Sequence, residues 1–187
     1  MQVEEIAKLL QRGEIVALPT ETVFGLAVSL NSETGIQKLI KLKNRDIESG
    51  KVFTLVPTSI SEFERYVLIP DRELFDTKVK PHIPGALTVL LPKNPAFTHP
   101  YFDHFEKIGL RIPDFPLFAQ LLPLSGPLLL TSANPRDLSV AKDFTEVEQY
   151  FPGLPVVREP AGNQPASTIV DLTGQKPAIL RQGALKF

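Results

Sequence analysis

Short apolar runs, each bounded by proline, most narrow what this chain can fold into. Ile15 to Leu18 is halted by Pro19, Ile108 to Ile112 is halted by Pro113, and Leu128 to Leu130 opens after Pro127. Proline has no backbone N–H to offer a central ladder, so these positions mark where strands start and stop. Val52 to Val56, Leu87 to Leu91, Ser167 to Leu172 and Ala178 to Arg181 are further strand candidates of the right length. Helical patterns fall between them. Val3, Ile6, Leu9 and Leu10 recur at helical spacing and stop at Gly13, and Ile36, Leu39 and Ile40 follow Asn31 or Ser32, either of which can cap a helix. Ser59 or Ser61 can start a helix containing Phe63 and Tyr66, Asp71 one containing Leu74 and Phe75, and Asp114 one running through Leu121 and Leu122. Residues 92–106 read as an irregular excursion, 135–153 as a polar loop with a short helix, and 159–166 as a Gly/Pro loop. Strands alternating with helices imply an α/β fold, and the adjacent strands near the C-terminus imply a mixed sheet. Most of the 18 prolines punctuate these elements rather than disorder them.

A chain of 187 residues, 43% hydrophobic, is long enough for one domain spanning 1–187 with a full core. Twenty Lys and Arg against 21 Asp and Glu leave no global positive field to advertise nucleic acid, so any RNA contact needs a local patch. The absence of cysteine excludes disulfides and thiolate metal sites and fits a reducing compartment. The amphipathic, charged start MQVEEIAKLLQRGE lacks the unbroken apolar core of a signal peptide, and no run approaches a membrane span. The expectation is a soluble, cytoplasmic protein without a membrane partner.

Three polar pairs stand at i,i+2 spacing: Thr20/Thr22, Lys43/Arg45 and Ser132/Asn134. In an extended segment that spacing puts Thr20 and Thr22 on one face. On a continuing helix Lys43 and Arg45 would point about 200° apart at ~3.6 residues per turn. They converge on one anion only if the helix ends between or before them, and Asn44 is a suitable place. Cations at a helix C-terminus are otherwise ordinary complements of the macrodipole. Ser132 and Asn134 follow a strand in TSANP, where open α/β sheets place ligands and where hydroxyl and amide donors suit phosphate or carboxylate oxygens. The same residues also favour turns with no ligand. Thr88, Arg111, Ser167 and Arg181 lie in or beside apolar strands. An arginine there needs a carboxylate or a ligand, so a structural ion pair competes with a binding role. His82, His99 and His104 flank loops without metal-ligand spacing, and no protein metal site is expected. No Walker, dinucleotide or nucleophile-elbow motif is present.

Seven blocks in order, LPTETVFGL (18–26), K-N-R (43–45), PGALT (84–88), GLRIP (109–113), TSAN (131–134), STIVDL (167–172) and ILRQG (179–183), resemble the YrdC/TsaC family of threonylcarbamoyl-AMP synthases, in its short bacterial form. The family's K-x-R and S-x-N residues fall on Lys43, Arg45, Ser132 and Asn134. The resemblance implies a twisted open mixed β-sheet flanked by helices, the YrdC-like fold, with a concave basic cleft. It implies synthesis of threonylcarbamoyl-AMP and pyrophosphate from L-threonine, bicarbonate and ATP, with Mg2+ accompanying the ATP. The product serves threonylcarbamoyladenosine modification of tRNA through a downstream threonylcarbamoyl transferase complex. By position Thr20, Arg45, Arg111 and Ser167 would face threonine, and Lys43, Thr88, Ser132, Asn134 and Arg181 would face ATP, with Arg45 between the two groups. Lys43, Arg45, Ser132 and Asn134 would carry the catalysis.

Departures from the family pattern fall at Asp46, at Lys51-Val52-Phe53, at Val56 and at Pro135-Arg136-Asp137, on the threonine-pocket wall and closing loop rather than the phosphate site. Two alternatives are a YciO-like paralogue, which the VFTLV segment resembles but the intact K-x-R and S-x-N pairs oppose, and an RNA-binding module of the same fold. The latter would use Lys38, Lys41, Lys43, Arg45 and Lys51 on tRNA or other RNA. The carbamoyl-transfer domain of hydrogenase maturation proteins is opposed by the missing zinc-finger cysteines.

Overall fold

In the computed structural model the described residues are 1–44 and 52–187. Arg45, Asp46 and Lys51 therefore lie outside them.

Proline acts as expected on the first strand. β1 (Val16–Leu18) ends immediately before Pro19, and β2 (Gly25–Ser29) returns antiparallel to it, Val16 facing Ala27. β2 is absent from the sequence reading. Its five residues, GLAVS, are all buried, so no polar alternation betrays it, and only Val28 among them is β-branched. α1 (Val3–Gln11) precedes the hairpin and turns out at Gly13, whose φ of 76° suits glycine. α2 (Glu33–Leu42) follows it. Ser32 is the cap, its hydroxyl accepting from the Gly35 N–H at 3.1 Å.

β3 (Thr54–Val56), the short helices α3 (Phe63–Tyr66) and α4 (Arg72–Leu74), and β4 (Leu87–Pro92) come next. The Asp71 carboxylate caps α4 by accepting from the Leu74 N–H at 2.8 Å. β5 (Lys107–Leu110) leads into α5 (Pro116–Ser125), and β6 (Leu128–Ser132), α6 (Phe144–Tyr150), β7 (Thr168–Asp171) and β8 (Ala178–Arg181) complete the order. Asp114 is not the cap of α5. That position belongs to Phe115, which makes no side-chain cap bond; Pro116 starts the helix instead, its φ already helical and its missing N–H unneeded there.

The eight strands form one mixed sheet in the order β1-β2-β6-β3-β5-β4-β7-β8. β3/β5 and β4/β7 are parallel and the other neighbours antiparallel. α1 packs on α5 and on the β1–β2 hairpin, and α2 packs on β2. An aromatic group of Phe53, Tyr101, Phe102 and Phe105 holds the 92–106 excursion against the sheet; the Tyr101 hydroxyl accepts from the Phe53 N–H at 2.8 Å. His99 belongs to that group. Its ring stacks on Phe97, and its Nε2 lies 3.0 Å from the Leu30 carbonyl. Val56 is fully buried in β3.

The C-terminal segment is stitched back onto β7. Thr168 Oγ1 accepts from the Gly183 and Leu185 N–H groups at 3.0 and 3.1 Å. Gly183 passes so close to the chain before β7 that an added Cβ would stand 2.0 Å from the Ala166 carbonyl oxygen. Gly183→Ala should therefore push the end of β8 off Ser167. The expected cost is about 1–3 kcal/mol of stability, read as a lower midpoint in thermal melting; an unchanged melt would contradict this packing.

Candidate active site

The polar candidates converge through local turns and long-range pairing together. After Pro19 the Thr20 hydroxyl accepts from the Thr22 and Val23 N–H groups, both at 3.1 Å, and donates to the Val23 carbonyl at 2.7 Å. A hydroxyl-capped turn, not an extended segment, thus brings Thr20 and Thr22 within 2.9 Å of each other, both buried. The Thr22 hydroxyl accepts from Arg111 Nη2 at 2.9 Å.

Arg111 lies just beyond β5, and Arg181 ends β8. Both line a cavity of about 220 Å³ together with Thr20, Thr88, Ser132 and Ser167. Around these polar groups stand Val23, Phe24, Val52, Val140 and Ile169. Thr88 and Ser167 share a hydroxyl contact at 2.9 Å, and Arg181 donates to the Ser167 carbonyl from Nε and Nη2 at 3.0 and 2.8 Å. Arg181 has no carboxylate partner among the described residues. Partial desolvation, and secondly the like charge of Arg111, push its pKa below the usual arginine value. Two guanidiniums facing one cavity, one lacking a counter-ion, suit an anionic ligand.

The cavity runs across the sheet rather than along one edge. Ser132 and Arg181 close their strands, whereas Gly25 and Thr54 open theirs. The rule that ligands sit beyond strand carboxyl ends belongs to parallel sheets; here antiparallel neighbours bring starts and ends together.

Lys43 and Asn134 stand beside the cavity, not in its lining, and meet at Ser132. α2 ends at Leu42, Lys43 takes the cap position and Asn44 turns left-handed at φ 43°, so the helix stops before Lys43. The Lys43 ammonium, buried, donates to the Ser132 carbonyl at 2.9 Å, to Asn134 Oδ1 at 3.2 Å and to the Asn134 carbonyl. The Ser132 hydroxyl donates to Asn134 Oδ1 at 2.7 Å, and the Asn134 amide nitrogen donates to the Leu138 carbonyl at 2.6 Å. Pairing of β2 with β6, Gly25 opposite Ser132, makes this contact possible over 89 residues of sequence.

Of the basic residues considered for RNA, Lys38 and Lys41 are exposed, with Lys38 paired to Glu14 at 3.1 Å, Lys43 is buried, and Arg45 and Lys51 lie outside the described residues. Among the described residues no group of three or more His, Cys, Asp or Glu could hold a metal ion. None of their helices is long and apolar enough to cross a membrane.

The Sua5_yciO_yrdC family, described as Telomere recombination, matches residues 8–183. The chain belongs to the Sua5/YciO/YrdC family. Among curated members of this family it is 32% identical over 153 residues to the threonylcarbamoyl-AMP synthase of Stutzerimonas stutzeri, covering 81% of this chain and 80% of that one. The crystal structure of P. abyssi Sua5 complexed with L-threonine superposes with a TM-score of 0.86 at 25% identity, over 97% of this chain. This chain spans about half of that protein, 54%. E. coli YciO has a TM-score of 0.83 at 21% identity, covering 97% of this chain and 88% of that one, a likeness of fold.

The structure adds Glu21, which the sequence reading passed over. Its Oε1 accepts from Arg111 Nη2 at 2.9 Å, so the structural ion pair weighed for that arginine exists. The available signal was the need of a buried arginine for a carboxylate; nothing local said which one.

Proposed function

We infer that this chain is a threonylcarbamoyl-AMP synthase, making threonylcarbamoyl-AMP and pyrophosphate from L-threonine, bicarbonate and ATP. What supports this most is a single cavity lined by Thr20, Thr88, Arg111, Ser132, Ser167 and Arg181, with the Lys43–Ser132–Asn134 cluster at its side. Membership of a family whose curated members carry that name agrees with it.

The chemistry asks for this kind of site. The threonine amine and bicarbonate combine with loss of water to an N-carboxylate. One of its oxygens forms a bond to the α-phosphorus of ATP, and the bond to the leaving pyrophosphate breaks with its electron pair. Two anions are thereby pressed together, so positioning and cationic neutralisation dominate and no covalent nucleophile is needed. In this reading Arg111, Thr20 and Ser167 hold threonine, and Lys43, Thr88, Ser132, Asn134 and Arg181 hold the nucleotide. Arg45 bridges the two groups. The described lining holds two guanidiniums, Arg111 and Arg181, against the one carboxylate of Glu21 paired to Arg111, which supports a basic cleft.

Mg2+ would accompany the triphosphate and neutralise part of its charge, held through the substrate phosphates rather than a protein cage. The described residues offer no cluster fitted to hold the ion separately, and no step is routed through it. The product passes to a threonylcarbamoyl-transfer step on tRNA in the cytoplasm, by a downstream transferase complex.

Pyrophosphate release should require ATP, threonine and bicarbonate together. Equal release without threonine would reject the assignment.

A further inference from the structure

We propose that Glu21 is a positioning residue for the amino-acid half of this site: it holds the Arg111 guanidinium in register and balances its charge against Arg181. The inference rests on the synthase reading and concerns a residue which that reading leaves without a role.

The geometry is that of a tethered guanidinium. Arg111 is bound on three sides, through Nε to the Gly85 carbonyl at 3.2 Å and through Nη2 to Glu21 Oε1 and the Thr22 hydroxyl, both at 2.9 Å. Nη1 has no hydrogen-bond partner among the described residues, and Arg111 lines the cavity. The free edge of a planar fork is thus presented to whatever enters, and the Glu21 contact sets its angle.

Glu21 is itself held from behind. The Gly162 N–H donates to the Thr20 carbonyl at 2.8 Å, and Gly162 passes so near that a Cβ there would stand 1.8 Å from the Glu21 carbonyl oxygen. The side chain of Glu21 is only 14% exposed, that of Arg111 8%. Oε2 of Glu21 is buried with no hydrogen-bond partner among the described residues. A carboxylate kept there half-satisfied is a poor choice for stability, since each orphaned buried acceptor is costly. Its evident return is electrostatic. Arg111 and Arg181 repel, and without a negative charge behind them the pair would bind any small anion, including the pyrophosphate product.

Glu21→Ala and Glu21→Gln in the full chain separate the two tasks. Alanine removes both anchor and charge. The KM for threonine should rise at least about tenfold while the KM for ATP stays within about twofold. A merely structural Glu21 would lower the melting temperature and leave that split unmoved. Glutamine keeps an acceptor for Arg111 and loses only the charge. Inorganic phosphate, titrated calorimetrically, should then bind at least about fivefold more tightly than to the unaltered chain. This second measurement needs no turnover, so it stands even if threonine-dependent pyrophosphate release is never seen, an outcome that counts against the synthase reading alone. It also stands if the alanine variant fails to fold. An unchanged threonine KM in a folded Glu21→Ala chain, or unchanged phosphate affinity in Glu21→Gln, overturns the proposal.

Discussion

Lys43→Ala is expected to lower pyrophosphate release at least about 100-fold, some 2.7 kcal/mol of transition-state stabilisation. The reason lies in how the ammonium is placed. Lys43 is 8% exposed and chelates oxygens of Ser132 and Asn134 at the end of β6. A cation fixed this way needs no reorganisation when charge builds on a phosphate beside Ser132, which is where preorganised charge gains most. Removing it also leaves two carbonyls and an amide oxygen short of a donor, so a melting loss of about 1–3 kcal/mol should accompany the kinetic one. Lys43→Arg should not restore activity, because a planar guanidinium cannot reproduce the point contact made to these converging oxygens. Wild-type turnover in a well-folded Lys43→Ala chain would remove Lys43 from the site. The KM for ATP should suffer more than that for threonine, since the lysine sits on the Ser132 side of the cavity and not beside Arg111.

Arg111→Met should be the most damaging single change to stability, costing about 3–5 kcal/mol in denaturant unfolding. The loss comes less from the missing guanidinium than from Glu21, left largely buried and without its counter-ion. The double change Glu21→Leu with Arg111→Met tests that account. Replacing both partners by apolar groups removes the unpaired charge, and most of the lost stability should return. Threonine-dependent turnover should not return, because the free edge of Arg111 is gone. If the double variant is as unstable as Arg111→Met alone, the cost arises elsewhere, for instance from the orphaned Gly85 carbonyl and Thr22 hydroxyl. If it recovers activity as well as stability, Arg111 does not bind substrate.

The amino-acid sequence by itself determined where some strands start and stop, because proline's missing N–H is a local property: Pro19 and Pro127 each bound an element as read, whereas β5 ends at Leu110, before Pro113 is reached. Caps at Ser32 and Asp71 were legible for the same reason, a side chain meeting its own helix within three residues. So was the end of α2 at Lys43–Asn44. Where the local signal was weak the reading failed: β2 carries no alternation because both its faces are buried, and Pro116 outweighs Asp114 at the start of α5. Only the tertiary structure decided that Lys43 is buried against Ser132 and Asn134, that Glu21 is the partner of Arg111, and that Arg181 reaches the same cavity without a carboxylate partner among the described residues. Each of those facts depends on strand pairings between distant segments: β2 with β6, β6 with β3, β3 with β5, and β4 with β7. A spacing of two along the chain says nothing of the partner 90 residues away. That partner is set by sheet order, and sheet order by which apolar faces bury together.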